Sequence, residues 1–224
     1  MLIEGRDIVV TIEGRPILEG ESVLCAPGKM TALTGPSGSG KTTLLHALGL
    51  LVPVAGGTVV AGGVDVTRHS AGRRRRFWRD HAAFVLQDYG VIDDESVAFN
   101  VTMSSQTPRR RDANARLTSS LHATGLAARR DEPASHLSGG EKQRLSLARA
   151  IYREASVLFV DEPTASLDAA NRHAVVELFA DFARGGATVI VASHDDEMIE
   201  ACDVRHEMMT REVVPMSQAV KEEG

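Results

Sequence analysis

The segment GPSGSGKTT carries the residues best suited to bind phosphate. It fits the pattern G-x-x-x-x-G-K-[ST], with Gly35, Gly40, Lys41 and Thr42 at the defining positions. Glycines let backbone N–H groups approach a phosphate, the lysine adds a full positive charge, and the hydroxyl can ligate Mg²⁺. The pattern predicts a triphosphate-binding loop, and its alternative is an ordinary glycine–serine turn. The residues predicted to line the phosphates are Gly35, Pro36, Ser37, Gly38, Ser39, Gly40, Lys41, Thr42 and Thr43.

Two adjacent carboxylates follow a short apolar run in the segment VLFVDEP. Four apolar residues, 157–160, carry Asp161 to the carboxyl end of a predicted buried strand, where a carboxylate can hold Mg²⁺. Glu162 stands at the same edge and is a candidate general base for the attacking water. The alternative for this acidic pair is a solvated turn.

A second potential anion site lies in LSGGEKQR. Ser138, Gly139 and Gly140 come immediately before a predicted helix that has Glu141 in its first turn, so free backbone N–H groups, a hydroxyl and a helix dipole coincide. Since a chain with one triphosphate loop needs no second such site, the segment is predicted to serve nucleotide held by another subunit. The alternative is a plain serine N-cap followed by flexible glycines.

The elements around these motifs alternate between strands and helices. MTALT, SVLFVDE and ATVIVAS are continuous apolar runs, and the segments after them have helical patterns, which is typical of a parallel sheet covered by helices. The first 30 or so residues alternate short apolar runs with turn signals and predict short antiparallel strands. Residues from about 100 to 135 are polar and rich in Arg and Ala, which predicts surface helices in a separate sub-lobe.

Length and composition favour one globular domain: 224 residues, 43% hydrophobic and 25% charged. The net charge of −5 argues against a general nucleic-acid-binding protein, and the run GRRRRFW is interpreted as a solvated face.

The two cysteines are far apart, which predicts neither a disulfide framework nor a metal site and favours a reducing compartment. With no signal-peptide pattern and no long apolar run, we expect a soluble, cytoplasmic protein.

These motifs, taken in order, resemble the nucleotide-binding subunit of an ATP-binding-cassette (ABC) transporter. The resemblance rests on GPSGSGKTT, FVLQD, LSGGEKQR, VLFVDEP, SLD and ASHD, and it covers almost the whole chain. It implies an α/β P-loop NTPase with a RecA-like parallel sheet core, an N-terminal antiparallel β lobe and a helical signature sub-lobe. The expected organisation is one domain over residues 1–224, with the sub-lobe at about 88–155 inserted in the core.

The resemblance also implies roles for single residues. Gln87 would contact Mg²⁺ and the attacking water and would sense the membrane partner. Ser138 to Gly140 would close on the γ-phosphate of ATP held by the other subunit, Asp168 would lie across the dimer interface, and His194 would contact the γ-phosphate. The catalytic candidates are then Glu162, His194, Gln87 and Lys41, and the metal ligands are Thr42, Gln87 and Asp161.

ATP and Mg²⁺ are the implied cofactors. The implied partners are a second ATPase subunit, in a homodimer or pseudo-dimer, and an integral membrane permease subunit, with no nucleic acid. The chain is then expected on the inner face of the cell membrane, attached through the permease.

Two departures from the family pattern bear on specificity. Ile12 stands where the family commonly has an aromatic residue that stacks on adenine, so we expect weaker discrimination between ATP and GTP. The segment QDYGVIDDESV is more acidic than in the lipoprotein-release and macrolide-export branch, through Asp93, Asp94 and Glu95, and looks like subunits grouped with lactococcin-type bacteriocin exporters. The expected substrate of export is a peptide or bacteriocin, a lipid-linked molecule or a drug-like molecule.

Three other functions fit parts of the sequence. An ABC ATPase that transports nothing would mechanically switch a membrane protein, and the sequence alone does not separate it from a pump. Soluble ABC proteins of translation or repair usually carry two cassettes or long inserted coils, and this chain has neither. A P-loop kinase would need an acceptor site and would have no use for LSGGE.

Overall fold

The computed structural model describes residues 1–86, 90–103, 110–165 and 167–208. Within these ranges the strands form two sheets, one antiparallel and one parallel, which confirms the predicted α/β class. The antiparallel sheet has the order β2-β1-β4-β5, formed by β1 (Ile3–Ile12), β2 (Arg15–Cys25), β4 (Gly56–Ala61) and β5 (Val64–Asp65). The parallel sheet has the order β6-β7-β8-β3-β9, formed by β3 (Met30–Thr34), β6 (Ala82–Val85), β7 (Val157–Asp161), β8 (Thr188–Ala192) and β9 (Val204–Glu207).

The three central strands of the parallel sheet are buried at every residue. Their unbroken apolar runs follow from that position, because a parallel strand covered by helices has no solvent-facing side. Since parallel strands end at one edge, the carboxyl ends of β3, β7 and β8 bring three separate segments of the chain together there. The strands predicted from MTALT, SVLFVDE and ATVIVAS are confirmed.

The N-terminal strands are longer than the sequence suggested. The predicted antiparallel strands are confirmed as β1 and β2, which form one long hairpin joined at Glu13 and Gly14; both turn residues have positive φ (50° and 77°), as a two-residue hairpin turn requires. The turn signals EGRP and APGK coincide with the hairpin turn and with the turn after β2, and register shifts occur within the pair.

The helices surround the parallel sheet and also build a lobe of their own. They are α1 (Lys41–Leu48), α2 (Ala71–Asp80), α3 (Val97–Thr102), α4 (Arg110–Ala123), α5 (Gly139–Tyr152), α6 (Ala169–Arg184) and α7 (Asp196–Glu200). Side chains of α3, α4 and α5, among them Val97, Leu121 and Leu145, form a hydrophobic cluster distinct from those around the sheet. The other face of α5 adds Leu147 and Ala150 to the main core, so α5 joins the helical lobe to the sheet.

Two expectations about the wider character of the chain can be compared with the structure. Cys25 is buried and Cys202 half-buried, both are free thiols, and burial raises the pKa of each to about 12. Within the described ranges, no helix combines the length and apolarity that crossing a membrane requires.

Candidate functional site

The phosphate loop lies between β3 and α1, at the edge where the parallel strands end. Gly35, Gly38 and Gly40 all have positive φ, a conformation that side-chain-bearing residues rarely adopt. A Cβ atom on Gly35 would overlap the carbonyl oxygen of Met208, and one on Gly40 would lie 2.7 Å from Leu18 Cδ2. These glycines are therefore required by backbone conformation and by close packing, and the loop curves as phosphate binding needs.

Lys41 is folded over the phosphate loop. Its Nζ donates hydrogen bonds to the carbonyl oxygens of Gly35 at 2.8 Å and Pro36 at 3.0 Å, and the residue is 9% exposed. A positive charge is thus held beside the N-terminus of α1, whose free N–H groups add a further partial positive charge. This combination suits the outer phosphates of a nucleotide.

Thr42 and Asp161 meet at the end of β7. The Thr42 hydroxyl donates to Asp161 Oδ1 at 2.9 Å, and His46 Nε2 lies 3.8 Å from Oδ2. Burial raises the pKa of the Asp161 carboxyl, and the Thr42 hydrogen bond opposes that rise. A hydroxyl and a carboxylate are hard oxygen donors, so this pair fits Mg²⁺. Gln87, the third predicted ligand, lies outside the described residues.

Glu162 is held in a constrained position beside this pair. Its φ is +44°, unusual for a residue with a side chain, and its N–H donates to the Ala192 carbonyl at 2.9 Å, at the end of β8. Glu162 Oε2 lies 2.9 Å from His194 Nδ1 and 3.5 Å from Ser193 Oγ. The carboxylate is thus oriented by its neighbours, as a general base must be.

Ser138 caps the N-terminus of α5. Its hydroxyl accepts from the Glu141 N–H at 3.3 Å, while Glu141 Oε2 accepts from the Ser138 N–H at 2.8 Å, which completes a capping box. Gly140 is buried, and a Cβ on it would lie 2.9 Å from Asn171 Oδ1. The N-cap interpretation describes Ser138 in this chain, but Gly140 makes a tight packing contact.

Asp168 lies beside this helix tip. It caps α6, accepting from the Asn171 N–H at 2.9 Å and from Asn171 Nδ2 at 2.8 Å, and these bonds hold the pKa of the Asp168 carboxyl below its usual range. Arg144 of α5 donates to Asn171 Oδ1 at 3.3 Å. Asn171 therefore joins Asp168 to the signature helix, although sequence reasoning had treated the two segments separately.

The predicted site residues thus fall into two groups. One contains Lys41, Thr42, Asp161, Glu162 and His194, and the other contains Ser138 to Gly140 with Asp168. Across the described part of the chain, no hydrogen bond or ion pair joins one group to the other. Their helices also pack differently, since α1 lies on β1, β7 and β8 whereas α5 lies on α3, α4, β6 and α6.

Sequence reasoning missed three residues around the site. Asn171 has a signal in its spacing, because it follows the N-cap Asp168 by three residues. His46 follows Thr42 by one helical turn, a spacing that places both on one face of α1. Arg172, whose Nε lies 3.1 Å from Asp195 Oδ2, has no local signal because its partner is on the loop after β8.

The chain is similar in sequence to a known protein family and to known proteins. A family model described as "ABC transporter" matches residues 18–165. The lipoprotein-releasing system ATP-binding protein LolD of Novosphingobium aromaticivorans is 38% identical over 192 residues, which are 84% of each chain. The macrolide export ATP-binding/permease protein MacB of Chlorobaculum tepidum is 35% identical over 187 residues, which cover 83% of this chain and 29% of that longer protein.

Solved structures show the same fold. A bacterial ABC transporter cassette in dimeric form superposes with a TM-score of 0.82 at 22% identity, covering 92% of this chain and 94% of that one. A dimeric post-hydrolysis state of an ATP-binding cassette, bound to ADP and phosphate, superposes with a TM-score of 0.81 at 21% identity over the same shares.

Proposed function

The chain belongs to the ABC transporter family, as an ATP-hydrolysing subunit of the LolD and MacB type, and on that premise we propose how its residues share the work. Two copies, or one copy and a homologous subunit, close around two ATP molecules and drive a permease in the membrane. The observation that carries the proposal is the geometry at the strand ends, where Thr42 bonds Asp161 and His194 contacts Glu162.

Nucleotide binding is assigned to the phosphate loop. Backbone N–H groups of residues 37–42 face the phosphates, which the positive φ of Gly35, Gly38 and Gly40 makes possible. Lys41 turns its ammonium group from the loop carbonyls towards the outer phosphates. Thr42 and Asp161, with Gln87, would hold the magnesium ion, which when bound neutralises charge on the phosphate oxygens.

Hydrolysis is assigned to Glu162 and His194. The Glu162 carboxylate accepts a proton from the attacking water as the oxygen–phosphorus bond forms and the bond to ADP breaks. His194, 2.9 Å from Glu162 Oε2, keeps the carboxylate turned towards the water and lies where it can also contact the γ-phosphate. Lys41 stabilises the charge that develops on the transferred group.

Closure between subunits is assigned to the second group of residues. Residues 1–224 act as one domain whose helical sub-lobe, about 88–155, carries Ser138 to Gly140 on the tip of α5. That tip meets the γ-phosphate held by the partner subunit, with Asp168 beside it at the interface. The separation of the two groups within one chain supports this arrangement, because no hydrogen bond or ion pair joins them within the described residues.

The permease is proposed to dock on the sub-lobe near α3. Ile92, Phe99 and Met103 are large apolar side chains, each more than 40% exposed, and single exposures of this size become informative when they cluster in sequence around one short helix. Asp94 and Glu95 lie exposed beside them, while Asp93 pairs with Lys142 at 2.7 Å. Docking there attaches the subunit to the inner face of the membrane.

A lipid-linked molecule is the proposed substrate of the complete transporter. The name of the lipoprotein-releasing relative supports this class, at 38% identity over most of both chains. The macrolide-export relative makes a drug-like molecule the second candidate. The acidic segment at Asp93 and Asp94 remains the only support for a peptide or bacteriocin, so that substrate ranks third.

Glu162→Gln tests the division of roles, because glutamine keeps the shape of the side chain and an oxygen near His194 but cannot accept the proton. We expect ATP affinity to be kept and turnover to fall by about 10²–10⁴-fold. The variant should also accumulate as an ATP-bound dimer in light scattering after size-exclusion chromatography. Lys41→Ala is the matched control and should lose nucleotide binding itself.

If Glu162→Gln hydrolyses ATP at the wild-type rate, Glu162 is not the general base. A variant that stays monomeric with MgATP, even with its co-purified permease, would remove the two-subunit model. Reconstitution of that complex with a lipid-modified peptide then distinguishes a pump from an ATPase that only switches its membrane partner.

A further inference from the structure

Helix α2 carries a run of arginines that the proposed function does not use. Its inner face is formed by Phe77, which is buried, and Trp78, whose Nε1 donates to the Gly49 carbonyl at 2.8 Å. Arg153 also donates to the carbonyl oxygens of Trp78 and Arg79, which secures the C-terminal end of the helix. The helix is therefore fixed to the core, and its outer face has a defined direction.

That outer face consists of exposed guanidinium groups. Arg73, Arg75 and Arg76 are all exposed. Arg75 and Arg76 lie about 160° and about 100° around the helix from Phe77, and Arg73, one turn before Phe77, lies at the edge of the buried face. Arg73 and Arg76 are three residues apart, so their charges repel each other at close range. The chain as a whole has a net charge of −5, which makes this concentration of positive charge a local feature.

Acidic groups within the described residues compensate only part of the charge on these three arginines. None of them forms a salt bridge or a side-chain hydrogen bond there. The nearest acidic group in sequence is Asp80, but both of its oxygens are held by Arg79, at 2.7 Å and 3.0 Å. Arg76 helps to lower the pKa of the Asp80 carboxyl, but Arg73 and Arg75 have no such acidic neighbour among the described residues, which points to an anionic partner outside the chain.

The position of α2 indicates which partner that is. One residue, His81, joins α2 to β6, and the two elements pack together. The carboxyl end of β6 lies one short strand beyond α2 along the chain. From that end the chain continues to Ile92 and Phe99, the surface proposed to meet the permease.

We infer that Arg73, Arg75 and Arg76 bind the phosphate-bearing headgroups of anionic lipids next to the permease. The inference rests on the proposed function, because a subunit docked at Phe99 brings this face to the membrane surface. Guanidinium groups pair with phosphate through two parallel hydrogen bonds. Nucleic acid is less favoured, because Phe77 is buried and Trp78 is half-buried with its Nε1 bonded to Gly49, which leaves little aromatic surface on which bases could stack.

Flotation of the full chain with lipid vesicles tests this inference. The wild type should bind vesicles of phosphatidylcholine mixed with phosphatidylglycerol, should not bind phosphatidylcholine alone, and should release at high salt. Each basic residue at an anionic surface contributes a factor of about 5 to binding, so Arg73→Gln, Arg75→Gln and Arg76→Gln together should lower it by roughly 100-fold. The matched control replaces Arg6, Arg184 and Arg205, three exposed arginines elsewhere, by glutamine and should keep binding.

A triple lysine variant of the same positions keeps the charge and should float like the wild type, which separates charge loss from misfolding. Wild-type protein that ignores anionic vesicles, or a glutamine triple that still binds them, overturns the inference. So does tighter binding to a DNA duplex than to the vesicles, or loss of the permease from the glutamine triple in neutral detergent. ATPase activity and permease assembly, measured in the same preparations, report on the proposed function independently of vesicle binding.

Discussion

Gly140→Ala is predicted to destabilise the protein, against the usual effect of replacing glycine by alanine in a helix. Gly140 is the second residue of α5, and a new Cβ would lie 2.9 Å from Asn171 Oδ1 and 3.0 Å from its Cβ and Cγ. Asn171 cannot easily move, because Asp168 and Arg144 hold both ends of its amide. Displacing it would disturb the cap of α6 as well.

The change in unfolding free energy expected for Gly140→Ala is the sum of two opposing contributions. Overpacking of a tight contact costs about 1–3 kcal/mol, whereas alanine gains up to about 1 kcal/mol over glycine in a helix. We therefore expect a loss of about 0–3 kcal/mol of unfolding free energy, and a loss relative to Gly72→Ala of about 1–3 kcal/mol because the helix-propensity gain is common to both variants. Gly72→Ala is the matched control, since Gly72 is also the second residue of its helix, α2, but has no atom within 4 Å of the new Cβ.

Thermal unfolding of the two variants provides the comparison. Gly72→Ala should unfold at or above the wild-type temperature, and Gly140→Ala below it, with about 2–4 °C for each kcal/mol in a domain of this size. A second comparison combines Gly140→Ala with Asn171→Ala, where relief of the overlap should appear as a coupling of about 0.5–3 kcal/mol. If Gly140→Ala unfolds at the same temperature as Gly72→Ala, the packing argument is wrong.

The remaining predictions concern the metal pair and the base of the nucleotide. Burial raises the pKa of Asp161 in the folded protein, so folding favours the protonated form of this carboxyl. The ionised carboxyl therefore costs stability at neutral pH, and the stability of the protein increases as pH falls through the folded pKa. Asp161→Asn keeps an acceptor for the Thr42 hydroxyl and should raise the melting temperature at neutral pH, with a smaller gain in acid. The same variant should lose Mg²⁺-dependent ATP binding. A melting temperature below that of the wild type at neutral pH would contradict this prediction. Ile12 is 45% exposed at the end of β1 and offers no aromatic face to adenine. Ile12→Tyr should therefore tighten ATP binding by about 1–3 kcal/mol in fluorescent-nucleotide titrations. Equal ATP affinities of the two proteins would count against Ile12 as the position that faces adenine.

The local motifs were predictable because each depends on neighbouring residues in the chain. Gly35 and Gly40 are needed where the backbone has positive φ, and the apolar run before Asp161 needs burial on both sides of a strand. The strands of the β1–β2 hairpin were predicted but not their full lengths, because polar residues such as Glu4 interrupt the apolar pattern and still pair with β2. The segment that forms helix α2 was interpreted as a solvated face, because its four arginines dominate its composition although its two aromatic residues pack inward.

By itself the sequence determined the order of the motifs, the α/β class and the residue types available for phosphate, metal and water. The tertiary structure alone decided which of them meet: Thr42 reaches Asp161 across 119 positions of sequence, and His194 reaches Glu162 because β7 and β8 are adjacent in the sheet. It also separated Ser138 from the phosphate loop and set Asn171 against Gly140. The physical reason is that backbone conformation is governed by near neighbours, whereas contacts between distant segments depend on strand order and helix packing.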